Sequence, residues 1–260
     1  MVVMLLLFTA CSEDDDPTTP RVYGYSLDQF VNQAEVLAIT DSEADQDADF
    51  RNLYAYQIIA EDGFSPRNSS NAGYDLDWDV FTQGYLVPAD QMRVWFSDPE
   101  IPGAFRVKYT SEIRLYRMVN LQSDHKQVSF IELGALPVTE VQNWDEASEE
   151  AIKLSDLVIA YEDYESITLA AADGYTQTYT PEQIADGYYL LESEVTTFPS
   201  FNDDMSGGQK KFKKLASLTV TGGTAIESDT WNNAPEDKAD LIIPIPELFD
   251  GFEATELTDY

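Results

Sequence analysis

The sole cysteine of this 260-residue chain is Cys11, which follows closely on an apolar run from Val2 to Phe8. Everything after it must fold without a disulfide and without a thiolate for metal or nucleophilic chemistry. Burial of apolar surface has to carry the fold, and 43% hydrophobic residues supply enough for one large domain or two smaller ones. The apolar run is too short to cross a bilayer as a stable helix, but it has the length of the hydrophobic region of a secretory signal.

Thr9-Ala10-Cys11 places small residues before the cysteine and resembles the bacterial lipobox. The resemblance implies that residues 1–10 are a lipoprotein signal peptide and that Cys11 becomes the lipid anchor, acylated on its thiol and on the new N-terminus. Several acyl chains together give the stable anchoring that one chain does not. Two features depart from the usual pattern: Phe8 stands where leucine is common, and no Lys or Arg precedes the apolar run, which points to a translation start further upstream. Residues 11–21 read as an acidic, disordered tether, with Glu13, Asp14, Asp15 and Asp16 ahead of Pro17 and Pro20. That acidic run resembles the surface-export signal of lipoproteins in some bacteria with two membranes. The expected location is the outer membrane, on the cell surface or the periplasmic face, with the membrane as a partner through the lipid anchor.

The 15 basic and 48 acidic residues leave a formal net charge of −33 at pH 7. Such a charge repels phosphates, so nucleic acid is not an expected partner, whereas cations and basic proteins remain available. The one histidine, His125, lies in the polar stretch Gln122–Gln127 and reads as an exposed connector residue rather than a general base. No catalytic constellation stands out, and the sequence leans away from an enzyme without deciding the point.

Self-comparison gives an ordered internal similarity. Tyr25–Phe30 lines up with Val128–Leu133, Ile59–Phe64 with Ala170–Tyr175, Gly84–Leu86 with Gly187–Tyr189, and the stretch from Val107 to Leu115 with that from Phe212 to Val220. A length difference between the second and third matches places an extra surface loop at Ser65–Gly73. These matches predict a first module at 22–120, a connector near 121–127, a second module at 128–222 and a C-terminal tail at 223–260 that docks on the body. Tyr54–Ala60, Arg93–Phe96, Ile113–Val119, Ser166–Ala171 and Leu215–Thr221 read as strands. Asp62-Gly63 and Asp173-Gly174 read as the turns that follow two of them. Helical spacing is scarcer, at Ser26–Ala38, Trp144–Tyr161 and Pro181–Ala185, the last with Thr180 and Gln183 as a capping box. The expected class is α+β and mostly β.

The second half resembles the oxidoreductase molybdopterin-binding (sulfite-oxidase-like) domain in the order of its landmarks. These are Val128–Pro137, Ile152–Leu157, Ile167–Tyr175 and Phe212–Val220, and the resemblance extends more faintly to 25–116 through the internal repeat. It implies two tandem related modules of that fold. Family enzymes bind molybdenum through a cysteine thiolate, and none follows Cys11, so the resemblance implies a cofactor-free relative serving in binding or complex assembly. An oxidoreductase accessory that still holds a pterin or other redox group is the alternative from another class.

Asp75, Asp77 and Asp79 form an Asp-x-Asp-x-Asp triplet of the hard oxygen ligands that calcium prefers, as do Asp45, Asp47 and Asp49. Neither continues as an EF-hand loop. On a strand the first set would share one face opposite Leu76, Trp78 and Val80. Lys210, Lys211, Lys213 and Lys214 form the one basic cluster, with internal pairing expected, and 15 tyrosines with Trp78, Trp95, Trp144 and Trp231 allow a glycan-binding platform as a third reading.

Overall fold

The computed structural model describes residues 21–39, 49–123, 126–225 and 233–260. Cys11 with its signal and most of its tether, Asp45 and Asp47, His125 and Trp231 lie outside the described residues. The described chain is α+β and mostly β, built from one central sheet and two flanking ones.

The central sheet runs β10 (Thr176–Tyr179), β9 (Tyr161–Ala171), β13 (Leu215–Ala225), β5 (Thr110–Ser123), β14 (Leu241–Pro244), with β2 (Tyr54–Ala60) and β6 (Lys126–Glu132) also paired to β5. Its middle contact is parallel, with Ser217 beside Asn120 and Leu218 beside Leu121. One flanking sheet runs β15 (Ala254–Glu256), β1 (Tyr23–Ser26), β3 (Gly84–Val87), β4 (Arg93–Phe96). The other runs β7 (Thr139–Gln142), β8 (Ser148–Lys153), β11 (Tyr188–Leu190), β12 (Val195–Thr197). Four short α-helices complete the set among the described residues: α1 (Gln33–Ile39), α2 (Trp78–Phe81), α3 (Pro181–Asp186) and α4 (Gly207–Lys210).

Each flanking sheet closes over its own core. Leu27, Val36, Phe50, Tyr56, Phe81, Phe96 and Ile113 fill the first, and Leu154, Ile167, Tyr179, Tyr189, Phe198 and Leu218 fill the second. Period-two alternation on β5, β9 and β13 sends these side chains inward, which is why the runs read as strands in the sequence.

The same local bonds recur in both halves. Ala60 N donates to Phe64 O and Phe64 N to Asp62 Oδ1; Ala171 N donates to Tyr175 O and Tyr175 N to Asp173 Oδ1. Gly63 and Gly174 both sit at φ +83°, where a side chain would be strained. Glu61 N reaches Tyr109 O, and Ala172 N reaches Lys214 O. A Cβ on Gly84 would lie 2.6 Å from Leu27 Cδ1 and 2.8 Å from Phe96, while one on Gly187 would lie 2.7 Å from both Leu154 Cδ1 and Phe198 Cε1. Leu27 and Leu154 thus occupy the same place beside Gly84 and Gly187.

Three expectations are corrected. Trp144–Tyr161 is no helix: Asn143 Oδ1 accepts from Asp145 N and Ala147 N, forming a turn that launches β8, and a short 3-10 turn at Leu154–Val158 leads into β9. The helix expected over Ser26–Ala38 is divided into β1, a 3-10 turn at Leu27–Phe30, and α1. The 121–127 connector begins inside β5, which continues to Ser123 and pairs back with β6, Met118 facing Glu132. In the 65–73 loop, Ser65 and Pro66 are buried, because Ser65 Oγ caps the following turn and accepts from Gln57 Nε2. The tail adds β14 and β15 to two sheets and stacks Phe249 on Tyr25 at 4.6 Å and Phe252 on Phe30 at 4.7 Å.

Candidate functional site

Two adjoining cavities share Asp77. One, of about 240 Å³, is walled mainly by Leu76, Val80, Ile101, Pro102, Phe105 and Phe130, with Asp75, Asp77 and Glu100 supplying acid groups. The other, of about 380 Å³, is lined by Asn52, Asp77, Trp78, Asp79, Met118, Asn120 and Gln122. Met118 from the second cavity and Phe130 from the first belong, with Ala55, to one small buried cluster.

The chain reaches this arrangement through local pairing. Leu76 and Tyr56 exchange backbone bonds at 2.7 and 3.1 Å, which pins the Asp75–Asp77 stretch against β2. Asp77 then caps α2, its Oδ1 accepting from Val80 N at 2.8 Å. The opposite wall is held by Arg106, whose guanidinium donates to the carbonyls of Phe96, Asp98 and Ile101 and thereby fixes the loop bearing Glu100 and Ile101.

The triplet Asp75, Asp77, Asp79 is therefore not a strand with three carboxylates on one face. Asp75 turns inward, Asp77 caps a helix and Asp79 stays exposed, because the helix start after Asp77 ends the alternation. Among the described residues no group of three or more His, Cys, Asp or Glu side chains is placed to hold a metal.

Asp75 takes part in a buried cluster beneath the first cavity. Arg67 donates to both its oxygens, Nε to Oδ1 at 2.8 Å and Nη2 to Oδ2 at 2.6 Å, and also to Glu132 Oε2 at 2.8 Å. Its guanidinium lies 4.2 Å over the Tyr116 ring, and Glu132 Oε2 accepts Ala234 N at 2.6 Å. Both carboxylates have fully buried side chains and Glu132 Oε1 has no donor. Two buried negative charges against one positive charge are unfavourable, which favours a proton on the pair. Burial pushes Asp75 and Glu132 above the usual carboxylate range, and the Asp75 charge pushes Glu132 further still. Burial also raises Asp77.

No family model, curated protein or solved structure matches this chain.

Most of the remaining candidates are internally committed. A third cavity, of about 260 Å³, abuts Arg117, Tyr189 and Glu194. The buried Arg117 spends its donors on Glu194, the Tyr189 hydroxyl and the carbonyls of Leu53, Met118 and Leu215. Burial pushes Glu194 up, yet Arg117 and Lys214 outweigh it and hold it below its ordinary value. In the lysine cluster, Lys210 donates to Asn202 O, Lys211 lies 4.2 Å from the Trp144 ring centre and Lys214 pairs with Glu194. Trp78 is covered as well, by Arg51 at 4.4 Å and by the rings of Tyr56 and Phe81, so it offers no free face to a sugar.

Sequence reasoning missed Asn120 and Gln122, whose stretch it read as a strand end and a connector. Their signal was the period-two spacing Met118, Asn120, Gln122, which puts all three on one face of β5.

Proposed function

We propose that this chain is a lipid-anchored extracytoplasmic binding module, held at the outer membrane by acylated Cys11 and working without a redox cofactor. Its body is read as two related α+β modules of the molybdopterin-binding, sulfite-oxidase-like kind, the first completed by the C-terminal strand β15 where the second uses its own β7. Support comes from the recurrent turn and glycine packing, from the equivalent strand orders of the two flanking sheets, and from the order of landmarks in 128–221.

One observation carries the binding role. A two-part groove sets an apolar cavity beside a polar one that gathers the carboxamides of Asn52, Asn120 and Gln122, the first and last exposed and Asn120 half-buried. Ligand sites characteristically combine an apolar wall with a few convergent polar groups. No Lys or Arg is among the described residues that line either cavity, so the groove suits neutral or cationic ligands.

A fragment screen by ligand-observed NMR tests this reading. Fragments that bind the full chain in detergent are expected to lose binding to a variant in which Asn120→Trp fills the polar cavity. If no fragment distinguishes the two proteins, the groove is not a binding site.

A further inference from the structure

We propose that the groove receives an extended basic peptide segment, seating one large apolar side chain in the cavity of Leu76, Val80, Ile101 and Phe105 and setting its cationic side chains against Asp77, Asp79 and Glu100. The proposal rests on the binding role above and names the ligand class.

Three features of the groove select this class. First, the polar floor matches a peptide backbone. A carboxamide carries both a donor and an acceptor, as does each peptide unit. Asn120 and Gln122 project from alternate positions of β5, and an extended peptide presents its own groups with the same two-residue repeat. Second, the neighbouring cavity is apolar, with Ile101 and Phe105 buried in its wall and about 240 Å³ of space, which suits a single aliphatic or aromatic side chain. A saccharide has no such side chain, and the ring faces of Trp78 are already taken up by Arg51, Tyr56 and Phe81. Third, the rim charge is of one sign. Asp79 and Glu100 are exposed and Asp77 is half-buried. The net charge of −33 adds a long-range field that draws basic segments in and repels acidic ones.

Asp77 has two duties that one substitution separates. Its carboxylate caps α2 through Val80 N, and asparagine caps as well as aspartate does. Asp77→Asn therefore removes the charge and keeps the helix start.

The experiment probes a random octapeptide array, in parallel with a glycan array, using the full chain in detergent and the triple variant Asp77→Asn/Asp79→Asn/Glu100→Gln. The octapeptides retained by the full chain are expected to carry Lys or Arg together with one Leu, Ile or Phe. Fluorescence anisotropy on the best of them should show at least roughly tenfold weaker binding to the triple variant, and weaker binding at high salt. A thermal melt of the variant matching that of the parent chain confirms that the loss is not unfolding. The proposal is overturned if retained peptides are not basic, if the triple variant binds them equally, or if glycans and not peptides are captured through the groove. Fragments that sense Asn120→Trp without any peptide selection would leave a binding groove with another ligand; the absence of both would remove the groove itself.

Discussion

Replacing Glu132 with glutamine should change how stability depends on pH, with a sign fixed by the buried cluster. In the folded chain Glu132 and Asp75 face one guanidinium, and Glu132 is pushed up to about 8 from an ordinary value of 4.5. Unfolded, the same acid releases its proton near its ordinary value. Between those two pH values the folded state holds a proton that the unfolded state has lost. Stability from this site is therefore complete below the unfolded value and declines as pH rises toward 8. Each pH unit is worth about 1.4 kcal/mol for one proton, so the interval corresponds to a few kcal/mol, on the order of 5 at most. Glu132→Gln has no proton to lose and can still accept from Arg67 and Ala234 through its amide oxygen. Urea unfolding followed by tryptophan fluorescence at pH 5, 6, 7 and 8 reads the effect. The parent chain should lose stability over that range relative to the variant, and at pH 8 the variant should be the more stable. The strongly acidic surface adds its own pH dependence, but equally to both proteins, so the difference between the curves isolates the cluster. Parallel curves would refute a shared proton between Asp75 and Glu132.

Gly84→Ala and Gly187→Ala should each destabilise by about 1–3 kcal/mol, because the added methyl meets buried Leu27 and Phe96 in one case and Leu154 and Phe198 in the other; chemical denaturation checks both, and a large cost at only one would argue against equivalent halves. Arg117→Met should cost roughly 3–5 kcal/mol by leaving buried Glu194 short of its main counter-charge, read as a lower urea midpoint. Asp77→Ala should lower stability by about 1 kcal/mol through the lost cap while Asp77→Asn stays near the parent value, measured by thermal melts.

The elements that the sequence predicts well are those decided by neighbours along the chain. Asp62-Gly63 and Asp173-Gly174 form their turns because the aspartate binds a nearby backbone amide and the glycine adopts positive φ. Thr180 and Gln183 make the capping box they promise, and Tyr54–Ala60 is a strand from end to end. What stayed hidden depends on partners distant in sequence. Asp75 looks like a member of a surface triplet, but its role comes from Arg67 and from Glu132 on the following β-hairpin. Trp144–Tyr161 has helical spacing, yet Glu149, within β8, accepts from Asn143 Nδ2 and Ser193 N, and tertiary pairing overrides the local preference. Asn120 and Gln122 form a site only with Asn52 and with Asp77, Trp78 and Asp79 at the start of α2, partners far from them in sequence.

Everything proposed about where this groove acts depends on the acylation of Cys11. Intact-mass spectrometry of the mature protein, extracted from membranes of cells expressing the full gene, measures it directly. The account predicts a chain beginning at Cys11 and carrying the mass of two or three acyl chains, converted to an unprocessed, unlipidated species by Cys11→Ser. A mature chain that keeps residues 1–10 with the Cys11 thiol free would contradict it.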